Sequence, residues 1–183
     1  MKIKSDFVTN SSSSSFIIVF PFKVKSLEQV KQFIAEKYAK IVLNDCLVRT
    51  PLRLTGDNNN KKLKTIMIRE LSYGTPISNR NDLDYSSCMK DFCRFNNISR
   101  KDLYSNRMWY NQFSTYYNSL QNEVNKKISE EFLNKLVEYR ENAKLKSIYI
   151  YVLNYGDENG EVYAEMEHNN IFYKLPFMQI SHH

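Results

Sequence analysis

The strongest hydrophobic pattern in the chain is a nearly continuous apolar run over residues 16–22, which contains Pro21 near its end and is stopped by Lys23. Branched and aromatic side chains fall on both odd and even positions, which is typical of a strand buried on both faces. Ser26 and Gln29 then form a capping box, and apolar residues recur behind them at helical spacing. The pattern predicts a strand followed by a packed helix from 27 to about 43.

The pattern over residues 47–80 is weaker. A glycine, an aspartate and three asparagines at residues 56–60 are typical of a turn or an exposed loop. Behind them, Leu63, Met67 and Leu71 fit a helix, whereas residues 65–68 also fit a strand. We favour strands on both sides of the loop and a second loop over residues 72–81.

Helical spacing returns at Tyr85 and stops at Asn96 and Asn97. Ser99 and Asp102 form a second capping box, and an apolar stripe that includes Tyr110 predicts a helix from 100 to about 127. Ser129, followed by two glutamates, predicts the start of another helix.

The period changes near the C-terminus. Residues 148–153 and 162–167 alternate in the way that strands do, and residues 156–160 read as the hairpin loop between them. A turn at Asn169 and Asn170 leads to a third strand over residues 171–177, which Pro176 assigns to a sheet edge.

These elements predict an α+β fold in a single domain over residues 16–181. Its sheet is mostly antiparallel with about four strands, the N-terminal strand plus a C-terminal three-strand meander, and its helices pack on one face. A flexible Ser-rich leader over residues 1–15 precedes the domain. The final pair, His182 and His183, is interpreted as the remnant of a purification tag.

Composition narrows the class of protein. An apolar fraction of 42% is typical of a globular chain, and no apolar stretch approaches the roughly 20 residues of a membrane span. The three cysteines are odd in number and lack zinc-site spacing, which favours buried, reduced thiols in a cytoplasmic protein. A net charge of +6 is compatible with an acidic partner such as nucleic acid, but an excess this modest is more typical of a solvated surface.

Residues 7–16 read Phe-Val-Thr-Asn, five serines, then Phe. This segment resembles an N-terminal signature, F-V-[ST]-N-S-S-S-S-S-F, of uncharacterised proteins from phages and Firmicutes. The match covers about a twentieth of the chain, and the C-terminal stretch with Tyr155, Gly156, Glu167 and His168 is similar to the ends of some of those proteins. The resemblance implies a phage or mobile-element setting and no particular activity.

Three groups of residues are candidates for chemistry. The serine tract, with Asn10, Ser11, Ser12 and Ser13, offers hydroxyls and amides to an anion, although it lacks the glycines and the lysine of a phosphate loop. A second group, Glu165, Glu167 and His168, is a candidate divalent-metal site, although such a pattern more often belongs to an ordinary solvated hairpin face.

The third group is basic. Cations beside aromatic rings are what a single-stranded nucleic acid surface uses, whereas rings at helical spacing usually belong to a core. The candidate nucleic-acid-binding residues are Lys61, Lys62, Lys64, Arg69, Arg100, Lys101 and Arg107, the last three lying near Trp109 and Tyr110.

No set of catalytic residues is recognisable, and a single histidine other than the terminal pair restricts acid–base schemes. We therefore expect a small basic protein, without a cofactor, that acts as a non-enzymatic binding module on a host protein or nucleic acid. The alternative is a small-ligand or metal-dependent enzyme that uses the acidic hairpin and the Ser-rich leader.

Overall fold

The computed structural model describes residues 13–55, 60–73, 75–76, 83–156 and 159–182. All five strands found in these residues belong to one antiparallel sheet. They are β1 (Ser13–Phe20), β2 (Leu52–Leu54), β3 (Thr75–Pro76), β4 (Ile148–Gly156) and β5 (Phe177–Ser181). Their order across the sheet is β2–β4–β1–β5–β3.

Seven helices occur in the same residues. They are α1 (Leu27–Lys31), α2 (Glu36–Val48), α3 (Asn60–Tyr73), α4 (Tyr85–Phe95), α5 (Arg100–Ser105), α6 (Arg107–Asn142) and α7 (Glu161–His168). None of them combines the length and the apolar character needed to cross a membrane. Helices and an antiparallel sheet together confirm the predicted α+β class.

Strand β1 is the centre of the sheet, with β4 on one side and β5 on the other. The prediction that the first apolar run joins the C-terminal strands is therefore confirmed. The strand begins at Ser13, three residues before the predicted start, so part of the predicted leader belongs to the sheet. Phe16 and Ile18 face one side of the sheet, Ile17 and Val19 face the other, and all four are at most 1% exposed.

Helices cover both faces of the sheet, whereas the sequence predicted one. On the face of Phe16, the helices α1, α2 and α7 contribute Val30, Val42 and Met166 to the core. On the face of Ile17, α3 and the second half of α6 supply the helical side of the core. We call the sheet with these covering helices the sheet body. The doubly apolar β1 requires two layers, because each face must be removed from water.

A second core lies in α4, α5 and the first half of α6. Every residue of this core falls between Leu83 and Leu120, and its centre is formed by Met89, Phe92, Leu103 and Phe113. We call α4, α5 and residues 107–120 the helical arm. Because α6 has 36 residues, it is about 54 Å long, so one helix supports both the arm and the sheet body.

The single helix predicted from 27 to 43 is two helices, interrupted at residues 32–35. Lys31 Nζ lies 2.6 Å from Glu36 Oε1 across the interruption. The turn brings Phe33 against the rings of Phe20 and Phe22. Neither Gly nor Pro marks the break, which coincides with the packing of Phe33 against the aromatic residues at the C-terminal end of β1.

Helix α3 corrects the prediction of a strand at residues 65–68, because Leu63, Met67 and Leu71 are buried at helical spacing. Helix α6 runs through Ser129, where a new helix was predicted to begin. Ser129 is fully buried, and its hydroxyl donates to the Asn125 carbonyl at 2.7 Å, so it continues the helix. The predicted helix from 100 to 127 is divided at Asn106, whose side chain caps α6.

The predicted C-terminal meander is wrong. Residues 162–167 lie in the helix α7, because their Ala, Met and Glu residues are strong helix formers and the apparent alternation was fortuitous. The predicted strand at 171–177 is a turn that buries Ile171 and Phe172, and β5 begins only at Phe177. Strand β5 lies between β1 and β3 instead of forming the outermost strand.

Candidate functional site

The N-terminal end of β1 carries buried hydroxyl groups on both faces of the sheet. Ser14 is 1% exposed, and its hydroxyl donates to Glu167 Oε1 of α7 at 3.0 Å. Gln179 of β5 donates from Nε2 to Ser14 Oγ and to the Glu167 carbonyl. A buried carboxylate needs such donors, so Ser14 fastens α7 to the sheet.

Ser15 plays the same part on the opposite face. Its Oγ lies 3.1 Å from Glu70 Oε2 of α3, 2.9 Å from Asn154 Oδ1 and 2.7 Å from His182 Nε2. Arg69 Nη2 contacts the other oxygen of Glu70 at 2.7 Å. Ser15 therefore joins α3, strand β4 and the residue that follows β5 at one point.

The pair of Ser15 and His182 has the atoms of an activated nucleophile, although the sequence led to the interpretation of His182 as a tag remnant. Ser15 is, however, only 2% exposed. Its oxygen is occupied by contacts between sheet and helix, which is the geometry of a structural hydroxyl.

The predicted anion site lies mostly outside the described residues, since Asn10, Ser11 and Ser12 precede them. Ser13 pairs with Gly156 in the sheet, and its carbonyl accepts from the His182 backbone N–H at 2.9 Å. The described serines of the tract thus have architectural contacts.

The predicted metal ligands diverge because they lie on a helix. Glu165 accepts from Lys37 Nζ and Tyr38 Oη at 2.8 and 2.9 Å, whereas Glu167 is buried against Ser14 and His168 is exposed. Lys37 and Tyr38 lower the pKa of Glu165, and Glu165 raises that of Lys37 to about 12. No group of three or more possible metal ligands occurs in the part of the chain that the structure describes.

The basic residues of α3 form a partly neutralised surface. Lys64 Nζ lies 2.7 Å from Glu130 Oε1, and Arg69 is paired with Glu70. Lys61 and Lys62 are exposed. Lys62 lines a shallow cleft beside β4 together with Arg49 and Arg69.

The basic residues of the arm lie beside exposed rings. Tyr85, Tyr104 and Tyr110, which we call the tyrosine patch, are 41%, 59% and 45% exposed. The ring centroids of Tyr104 and Tyr110 are 6.4 Å apart. Burial raises the pKa of Tyr85, and the neighbouring hydroxyls of Tyr104, Tyr110 and Tyr117 add to the rise.

Three cations adjoin the tyrosine patch. Arg100 Nη2 donates to Ser86 Oγ, next to Tyr85, at 3.4 Å, and Arg107 precedes Tyr110 by about one helical turn. Within the described residues Arg100, Lys101 and Arg107 form no ion pair. They are therefore available to a negatively charged partner.

The acidic residues of the arm are used inside it. Asp84 and Asp102 accept hydrogen bonds at the starts of α4 and α5, which lowers the pKa of both carboxyl groups. Asp91 lies 3.1 Å from Arg94. The carboxylates do not offset the three cations of the patch directly.

Tyr110 is exposed, although its helical spacing predicts a buried stripe, and the exposure of Tyr85 and Tyr104 does not follow from the sequence pattern. The interruption at Asn106 removes Tyr110 from the helical register of Leu103, which stays buried. The asparagine before a new helical run was the available signal.

The cysteines agree with the prediction. Cys46, Cys88 and Cys93 are free and buried. Burial raises the pKa of Cys46 to about 12, so its thiol is unreactive at neutral pH.

Comparison of the chain with protein families, with curated proteins and with solved structures finds no match.

Proposed function

We propose that this protein is a non-enzymatic binding module that holds single-stranded nucleic acid on the tyrosine patch of its helical arm. The observation that carries the proposal is the exposure of Tyr85, Tyr104 and Tyr110 beside cations without ion-pair partners in the described residues. Exposed rings stack on bases, and the cations attract the phosphates between them.

Single strands suit this surface better than duplex DNA does. Stacking on a protein ring needs an unstacked base, which a duplex does not offer, and stacking tolerates any base because every base has a π face. Arg100 and Arg107 lie beside the rings, where the backbone of a strand stacked on them would pass. We therefore expect little sequence preference.

The arm is favoured over α3 as the binding surface. Two of the four predicted cations of α3 are paired with glutamates, and the exposed large hydrophobic residue described on that helix is the aliphatic Ile68. Charge without stacking gives weaker, salt-sensitive attraction only.

The setting is also a proposal. The resemblance of residues 7–16 to a signature of phage and Firmicutes proteins supports a phage or mobile-element origin. In that setting the nucleic acid would be of host or phage origin. The alternative partner is a host protein with an acidic surface that can contact the exposed aromatic rings.

The test is titration of a labelled oligothymidylate with the full chain across a salt series, with the matching duplex in parallel. We expect binding to the single strand that weakens linearly in log–log form as salt is raised. Tyr104→Ala is expected to cost about 1–3 kcal/mol of binding free energy. Arg107→Ala is expected to reduce the salt slope by about 0.7 for each lost phosphate contact.

The matched control is Tyr173→Ala. Tyr173 is 66% exposed and has a neighbouring cation, Lys174, 5.6 Å from its ring, but it lies outside the arm. Lys62→Ala is the corresponding control for charge. Equal losses in the controls and the arm variants, or tighter binding of duplex than of single strand, would contradict the proposal.

A further inference from the structure

A cleft of about 470 Å³ lies between α6 and β5, and it shares no residue with the tyrosine patch. Its floor is apolar and includes Phe132 and Met178, which are 6% and 8% exposed. A concave site of this size, with an apolar floor and a few polar groups, is what a small molecule requires.

Polar groups from separate elements converge on the cleft. Lys135 and Glu131 come from neighbouring turns of α6 and His168 from the end of α7. Gln179 of β5 also lines the cleft, but its amide nitrogen is already bonded to Ser14 and Glu167. In the described part of the chain Lys135 forms no ion pair, and the ion pair recorded for Glu131 is a 4.0 Å contact with Lys127. The fold thus brings a free ammonium group to the rim of an apolar site.

We propose that this cleft binds a small molecule with a flat apolar body and a carboxylate or phosphate group. The apolar part of the ligand lies on Phe132 and Met178, and its anionic group contacts Lys135. His168 also lines the cleft. The apolar floor supplies affinity by losing water, and the ammonium group fixes the orientation of the ligand.

The test uses the full chain and three naphthalene probes: 2-naphthoate, 2-naphthyl phosphate and the neutral 2-naphthylmethanol, titrated by calorimetry. We expect the two anions to bind saturably and the neutral probe to bind about tenfold or more weakly, the scale of one charge-assisted contact. The two anions together show which group the cleft prefers.

Two variants and one control variant locate the site. Lys135→Ala is expected to remove the preference for the anions, whereas Lys126→Ala, on the same helix but outside the cleft, is expected to leave it unchanged. Asn170→Trp narrows the cleft at its exposed rim and is expected to weaken all three probes. Failure of every probe to saturate, equal binding of neutral and anionic probes, or the same loss in Lys126→Ala would overturn the proposal.

Discussion

In the sheet body Phe16, Phe20 and Tyr151 are at most 1% exposed, whereas in the helical arm Tyr104 and Tyr110 keep about half of their surface in water. The body places helices on both faces of its sheet, so rings from either face are covered. The arm has a single core between three helices, and the rings on their outer sides have no covering layer in the described chain. Aromatic residues therefore stabilise the body, and in the arm part of them is available for recognition.

The largest expected difference between the regions is in stability. Phe16→Ala removes a ring that contacts Tyr155 and Phe172, and it is expected to lower the free energy of unfolding by about 3–5 kcal/mol. Tyr104→Ala removes an exposed ring and is expected to change the free energy by about 0.5 kcal/mol or less. Urea unfolding followed by circular dichroism measures both.

Similar losses of unfolding free energy in the two variants would contradict this difference between the regions, because they would show that the tyrosine patch belongs to a packed core. The matched control is Tyr173→Ala, whose exposed ring lies on the surface of the sheet body. It is expected to be as neutral for stability as Tyr104→Ala, so that only oligothymidylate binding distinguishes them.

The buried hydroxyls give the next largest effect. Ser14→Ala removes a donor to the buried Glu167 carboxylate and is expected to cost about 1–3 kcal/mol of unfolding free energy. Ser119→Ala, at an exposed position of α6, is the control and is expected to be neutral. A neutral Ser14→Ala would show that the other contacts of Glu167 suffice to hold α7.

The extent to which the fold follows from the sequence differs between these regions. The strand β1 could be predicted, because apolar residues on both of its faces are a local pattern. Its neighbours could not, since β4 and β5 pair with it from about 130 residues away or more, and pairing of that range leaves no local pattern. Helix α7 was mistaken for a strand because eight residues are too few to separate the two periods.

The candidate surface was only partly predictable for a related reason. Arg100, Lys101 and Arg107 were identified from charge next to aromatic residues, which is visible in the sequence. Which rings stay exposed depends on how α4, α5 and α6 pack around their shared core, a tertiary property. The cleft beside β5 was not predicted at all, because its walls come from segments that are distant in sequence.

The junction at Asn106 offers a smaller, local effect. Asn106 Oδ1 accepts from the Met108 backbone N–H at 2.9 Å, so Asn106→Ala is expected to cost about 1 kcal/mol. The loss should appear in the arm, which contains Trp109, the only tryptophan of the chain. Asn118→Ala, within α6 and exposed, is the control and is expected to be neutral or slightly stabilising. If tryptophan fluorescence shows an earlier unfolding transition and circular dichroism does not change equally, the result would support the distinction between the helical arm and the sheet body.

The smallest effect expected is a dependence of the arm on pH. Hydrogen bonds from Ser86, Ser87 and Ser99 lower the pKa of the Asp84 and Asp102 carboxyl groups in the folded chain. The two ionised carboxylates therefore stabilise the folded arm at pH values above their unfolded pKa of about 3.9. This stabilisation is lost as the pH falls through their pKa in the folded chain. Trp109 fluorescence should report a loosening of the arm in acid that is reduced in the double variant Asp84→Asn, Asp102→Asn, because asparagine keeps a capping oxygen that does not titrate over this range. An identical acid profile in the double variant would contradict this prediction. It would show that protonation of Asp84 and Asp102 does not change the stability of the arm, and that other groups control its response to acid.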